Sequence, residues 1–198
     1  MTATGQTATS ASTSTRTRTA TVELRARGAE PAPRWAVTVA HVVALLTLPT
    51  GLWRLGLALG QHGGYTVQGY ADMDLDAGGT AYVVGLSVVS ELLALLALGL
   101  VRPWGERVPR WVPCLGGRAV RPVAALVPAY LGAAALTALW TPMLLWWHVP
   151  HDDMTATGAD LVGLLYLPLV AWGPLLAVLA VSYQRRQRHA SRASRAAV

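Results

Sequence analysis

Four apolar stretches, 35–59, 80–100, 123–147 and 159–183, leave this 198-residue chain few ways to fold. At 1.5 Å per residue, about twenty helical residues span a hydrocarbon layer of about 30 Å. Within lipid every backbone amide needs a partner in the chain, and an isolated apolar segment achieves this as a helix. The expected fold class is all-α, a polytopic membrane protein with a four-helix transmembrane bundle. Composition agrees, because 53% hydrophobic and 13% charged residues depart from soluble domains, in which about a quarter of residues are charged.

The charges give the bundle a direction. Fifteen of the 16 basic residues, all of them arginine, fall in 16–34, 102–121 and 185–195, whereas the connections 61–77 and 148–160 hold six aspartates and no arginine. Basic loops stay on the cytoplasmic side, so both termini are expected to be cytoplasmic in a bacterial cytoplasmic membrane. Trp35 and Trp104 at the inner boundaries, and Trp53, Trp146 and Trp147 at the outer ones, fit the indole preference for interfaces. Trp140 and Trp172 lie deeper, either between helices or against lipid. The chain also lacks Lys, Phe, Ile and Asn, all with A/T-rich codons, so the exclusive use of arginine reflects a high-GC genome rather than chemistry. A formal charge of +6 would suggest nucleic acid in a soluble chain, but here helix orientation accounts for it, and no nucleic-acid partner is expected.

Three regions follow. Residues 1–33 are rich in Thr, Ala, Ser and Arg and too poor in apolar clusters to offset ordering entropy, which predicts a disordered cytoplasmic tail. Residues 34–183 form the membrane domain, and 184–198 a basic, disordered cytoplasmic tail whose Arg185, Arg186 and Arg188 suit anionic lipid. The inner connection, with Pro103, Pro109, Pro113, Gly116 and Gly117, cannot be one continuous helix. Prolines 49, 128, 142, 168 and 174 predict kinks in spans one, three and four. Arg54 is expected at the outer edge, its guanidinium reaching the headgroups. Cys114 is alone, which excludes an intramolecular disulfide.

Steps of three and four residues trace a small or polar stripe on each helix. These are Thr38, His41, Ala44, Thr47 and Gly51 on the first, and Ser87, Ser90, Glu91, Ala94 and Ala97 on the second. The third carries Tyr130, Ala133, Thr137 and Thr141, and the fourth Gly163, Tyr166, Gly173 and Ala177. Such stripes mark bundle interiors, and the first two are expected to meet. Glu91 lies about 14 Å above the inner boundary, close to the midplane, where an unpaired carboxylate costs at least about 2.5 kcal/mol. His41, about 9 Å above that boundary, is within side-chain reach, whereas Arg54 at about 28 Å is too far. Glu91, His41, Ser87 and Ser90 therefore form the candidate intramembrane site, either as a polar clamp or as a proton- or cation-handling group.

On the outer face His148, His151, Asp152 and Asp153 combine imidazole and carboxylate as a divalent metal such as Zn²⁺ requires, although Pro150 interrupts the turn. The plainer reading of these residues is a solvated acidic rim, so no cofactor is expected beyond that candidate metal. The run 72–76 resembles the start of a calcium loop, but Ala77 replaces the required glycine and Val83 the bidentate glutamate.

The stretch 102–122, RPWGERVPRWVPCLGGRAVRP, resembles the inner loop of small multi-pass integral membrane proteins from high-GC Gram-positive bacteria. The resemblance implies that location and topology, and carries over no activity and no catalytic residue. The chain thus reads as a non-enzymatic membrane protein with membrane lipids as partners. Gly56 and Gly60 offer a small-xxx-small contact to a second copy or another membrane protein. The alternatives are a small proton- or cation-coupled transporter, or a subunit of one, using Glu91, and a metal-dependent membrane enzyme using the outer His and Asp cluster.

Overall fold

The computed structural model describes residues 31–102 and 122–196. Expectations for the N-terminal tail, Cys114 and most of the 102–121 connection concern residues outside that set. Four helical spans are long and apolar enough to cross a membrane: Arg34–Ala58, Ala77–Leu100, Pro122–His148 and Ala156–Ala193. Large apolar side chains such as Leu52, Leu93, Leu131 and Leu164 face outward from them.

Every span is broken. The first consists of α1 (Arg34–Leu46) and α2 (Leu48–Ala58), separated at Thr47 just before Pro49. After the short α3 (Val67–Asp72), α4 (Ala77–Leu96) ends in a 3₁₀ turn, Ala97–Leu100. The third span, α5 (Pro122–Trp140), tightens into 3₁₀ geometry over Thr141–His148, where Pro142 removes an amide. The fourth runs through α6 (Ala156–Tyr166), a 3₁₀ segment Leu167–Ala171 carrying Pro168, and α7 (Trp172–Ala196). Breaks in α geometry thus fall beside Pro49, Pro142 and Pro168 in spans one, three and four, and the second span also departs from α geometry at its end. Pro128 lies inside α5 without ending it.

The last helix corrects the expected end at residue 183. It continues through Ala196, because Gln184 to Ala196 contains neither proline nor glycine and is rich in Arg, Ala and Gln, all good helix formers. Arg185, Arg186 and Arg188 therefore stand on helical turns, where Arg185 and Arg188 are exposed but Arg186 is buried, which corrects its expected place at the lipid surface.

Burial on the first span alternates strictly in steps of four and three: Ala36, Ala40, Val43, Thr47, Thr50, Arg54 and Leu57. This seam keeps one face turned inward, since the alternation averages 3.5 residues against a helical repeat of 3.6. α2 packs chiefly on α4, and α1 on the turn Ala97–Leu100. Ala36, Ala40, Val43, Ala94, Ala97, Leu169, Trp172, Leu179 and Tyr183 make the core, so Trp172 packs between helices. Gly173 lets the fourth span approach the third closely, because a Cβ there would overlap Thr137 and Ala133.

At one end of the bundle the two connections lock together through a repeated pattern, H-x-x-x-T-x-x-G, at residues 62–69 and 151–158. Thr66 N donates to Asp153 O at 2.9 Å and Thr155 N to Gly64 O at 3.0 Å, flanking an antiparallel bridge between Tyr65 and Met154. Each threonine hydroxyl works twice. Thr66 Oγ1 and Thr155 Oγ1 donate across the clasp at 3.1 Å to the same carbonyls, and accept at 3.0 Å from Gly69 N and Gly158 N. The two threonines thus cap α3 and α6 while joining the hairpins. Glycine is required three residues after each cap. A Cβ on Gly69 would run into Asp153 O, and one on Gly158 into Gly64 O. Gly64 itself has φ +103°, which L side chains rarely adopt.

Candidate functional site

The seam of the first span carries its polar residues as a block, Thr47, Thr50 and Arg54, and faces Glu91 of α4. Thr47 sits at the break between α1 and α2. Its hydroxyl donates to Glu91 Oε2 at 2.9 Å, and Thr50 Oγ1 donates back to Thr47 O at 2.9 Å. Glu91 Oε1 is buried and receives no hydrogen bond among the described residues. It lies against the open face of Gly51, 3.1 Å from where a Cβ would stand. One carboxylate oxygen is held, and the other is sealed in without a donor.

Of the four expected site residues, Glu91 alone stands in this cluster. His41 is exposed, and its Nδ1 lies 2.7 Å from Val37 O, one turn back on its own helix. The expected stripe through Thr38, His41, Ala44 and Thr47 advanced three residues at a time, drifting about 60° around the helix at each step. The buried seam passes through Ala40, which puts His41 about 100° off it. Ser87 and Ser90 share the Glu91 side of α4, but their hydroxyls donate to Val83 O and Leu86 O, at 2.9 and 2.8 Å. Thr47, one member of the expected stripe, supplies the hydrogen bond assigned in the sequence to histidine.

Arg54 departs furthest from expectation. Rather than reaching headgroups it is 8% exposed, with Nε donating to Tyr166 Oη at 3.1 Å. Its guanidinium carbon lies 5.6 Å from the Tyr166 ring centroid, within cation–π range. The reason is the seam: position 54 continues the 4-3 series inward, opposite a tyrosine. Tyr166 belongs to an aromatic column, with Trp53 edge-on at 5.6 Å and Trp140 at 5.7 Å, and Tyr65 of the clasp 6.2 Å from Trp53. Trp53 Nε1 donates to Gly63 O at 2.8 Å, tying the column to the clasp. Arg54 Nη1 and Trp140 Nε1 are buried and make no hydrogen bond among the described residues.

The residues expected to bind metal are engaged differently. His151 stacks on Trp146 at 3.7 Å, with Nε2 3.2 Å from Trp146 O, while the Asp153 carbonyl belongs to the clasp. His148 closes the 3₁₀ turn and Asp152 lies in the turn that follows, both exposed. No three His, Cys, Asp or Glu side chains among the described residues converge as a metal would require. Tyr65 sits half-buried between the clasp and the aromatic column. Burial, then the charge of Asp153, then Tyr166, push its phenol up from the ordinary tyrosine value.

No family model matches the chain, and neither a curated protein nor a solved structure does so.

Proposed function

We propose that this chain is a multi-pass protein of the bacterial cytoplasmic membrane, with both termini inside and the exposed Arg185 and Arg188 at the anionic lipid surface. Its interior carboxylate handles a proton or small cation in a non-enzymatic role such as transport. The four apolar spans and their outward-facing leucines support the location, because such faces are stable against lipid. The observation that carries the ion-handling reading is the asymmetry at Glu91: Oε2 accepts a hydrogen bond from Thr47 Oγ1, and Oε1 is buried with no donor among the described residues.

A purely structural clamp would fill both oxygens, since a carboxylate offers about four lone-pair sites and an unfilled buried acceptor costs about 1–3 kcal/mol. A proton on the carboxyl removes its buried charge, and a cation at Oε1 fills the vacant acceptor.

A hydrophobic carbodiimide, which reacts with protonated carboxyls in lipid, tests this directly. Mass spectrometry of the membrane-inserted protein should find the adduct on Glu91 in the wild type and none in Glu91→Gln. An unlabelled Glu91 would sink the reading.

A further inference from the structure

Around Tyr166 the hydrogen-bond arithmetic runs the opposite way. Arg54 Nη1 and Trp140 Nε1 are buried donors without acceptors. Tyr166 Oη already accepts from Arg54 Nε, and no acceptor for its own proton is found among the described residues. Arg54, more than nine-tenths buried, forms no ion pair within the described residues. A buried guanidinium with a cation–π contact and one hydrogen bond is under-satisfied, because it has five N–H donors and a full charge. Three side chains from both hairpins thus present donors, one of them cationic, with nothing to receive them.

What they lack is an anionic group that accepts several hydrogen bonds. A guanidinium fork meets a carboxylate in two parallel hydrogen bonds, and a phenol and an indole N–H can fill its remaining lone pairs. The walls are aromatic: Trp53 and Trp140 flank Tyr166. That favours a small organic molecule over a hydrated inorganic ion. The site also lies between the two hairpins of the bundle. Arg54 comes from the first hairpin, Tyr166 and Trp140 from the second, beneath the clasp that repeats H-x-x-x-T-x-x-G.

We propose that Arg54, Tyr166 and Trp140 bind the carboxylate group of a small organic solute, admitted when the clasp above them parts. The inference shares with the Glu91 reading only the placement of the bundle in lipid. Glu91 Oε1, against Gly51, stands about one helical turn from Arg54. A solute with an amino group can therefore set its ammonium toward Glu91 while its carboxylate meets Arg54, Tyr166 and Trp140, whereas a simple carboxylate engages those three and leaves Glu91 aside. Both share the carboxylate chemistry.

Thermal unfolding of the purified protein in lipid nanodiscs, at fixed pH and ionic strength, tests the site with propionate, alanine and chloride. Propionate or alanine should raise the midpoint saturably and chloride should not. Alanine acting at tenfold lower concentration would identify the amino-acid form. Arg54→Gln removes the cation and is liable to misfold, so Tyr166→Phe, which removes a single oxygen from an intact ring, carries the comparison. It should weaken the carboxylate response at least tenfold, read as the shift from each protein's own unliganded midpoint. Glu91→Gln should keep the propionate response, which separates this site from the ion-handling carboxylate. The proposal is overturned if neither carboxylate acts on the wild-type protein, if chloride acts equally, or if the response survives unchanged in Tyr166→Phe.

Discussion

Residues 62–69 and 151–158 share a pattern and a set of hydrogen bonds, yet the chain leaves the two segments differently. After Gly158 the helix runs on as α6 to Tyr166, whereas after Gly69 it stops at Asp72, turns through Asp74 at φ 45° and restarts at the Asp76 cap. Asp76 Oδ1 accepts from Gly79 N at 2.7 Å, a stronger start signal than anything in 159–166. The shared motif therefore fixes the clasp, and the residues beyond it decide where a span begins. The hairpins differ in chemistry as well. The first supplies Arg54 and Glu91 of the polar seam, and the second the ring and hydroxyl of Tyr166 that receive the arginine.

The glycines give the harshest test of the equivalence between the segments. Gly69→Ala and Gly158→Ala each place a methyl group into a backbone carbonyl of the opposite connection, Asp153 O and Gly64 O. Neither carbonyl can move without breaking the clasp, so each substitution should cost about 3 kcal/mol, near the upper end for overpacking. Gly85→Ala, on a helix face with nothing within 4 Å, should be neutral or stabilising by up to about 1 kcal/mol. Unfolding midpoints in one detergent would rank the three. If Gly158→Ala behaves like Gly85→Ala, the clasp as described does not form.

The threonines probe the same comparison more gently. Thr66→Ala and Thr155→Ala each lose an N-cap and a cross-clasp hydrogen bond, and should cost about 1–2 kcal/mol apiece, equally. Because the two hydroxyls support one bridge, the double variant should cost less than the sum. Strict additivity would show two independent caps rather than one joint.

Much of this architecture was legible before any coordinates. Apolar runs of spanning length located the four helices, and prolines 49, 142 and 168 marked three of their breaks. Glu91 stood out because a lone acid in an apolar run demands a partner. Its partner was misread through a chemical preference: histidine suggests an ion pair, and depth alone could not separate His41 from Thr47, since both lie about 4–5 Å from Glu91 along the membrane normal. Rotation about the axis separates them, and the 4-3 series from Ala36 to Leu57 was available in the sequence. Arg54 was misread because a charge near the end of a span looks like a boundary. Its contact with Tyr166, 112 residues away, leaves no local trace. The H-x-x-x-T-x-x-G repeat was the one plain signal passed over, and it predicts that the two connections pair.

The mildest effect belongs to Tyr65, where the two segments differ in chemistry at equivalent positions, tyrosine in one and Met154 in the other. Its phenol is pushed up by burial first, then by the Asp153 carboxylate and Tyr166. A raised folded-state value means that the fold holds the neutral phenol more tightly than the unfolded chain does. The stabilisation is fully present below the ordinary tyrosine value of about 10 and is lost as pH climbs through the higher folded value. Unfolding midpoints between pH 8 and 11 should therefore be flat up to about 10 and then fall, with Tyr65→Phe removing part of that fall and leaving the plateau in place. Met154 contributes no such limb, so the alkaline loss should trace to the first connection. A Tyr65→Phe profile identical to wild type above pH 10 would show that the phenol stays solvated there, and that the aromatic column does not continue from the clasp to Tyr166.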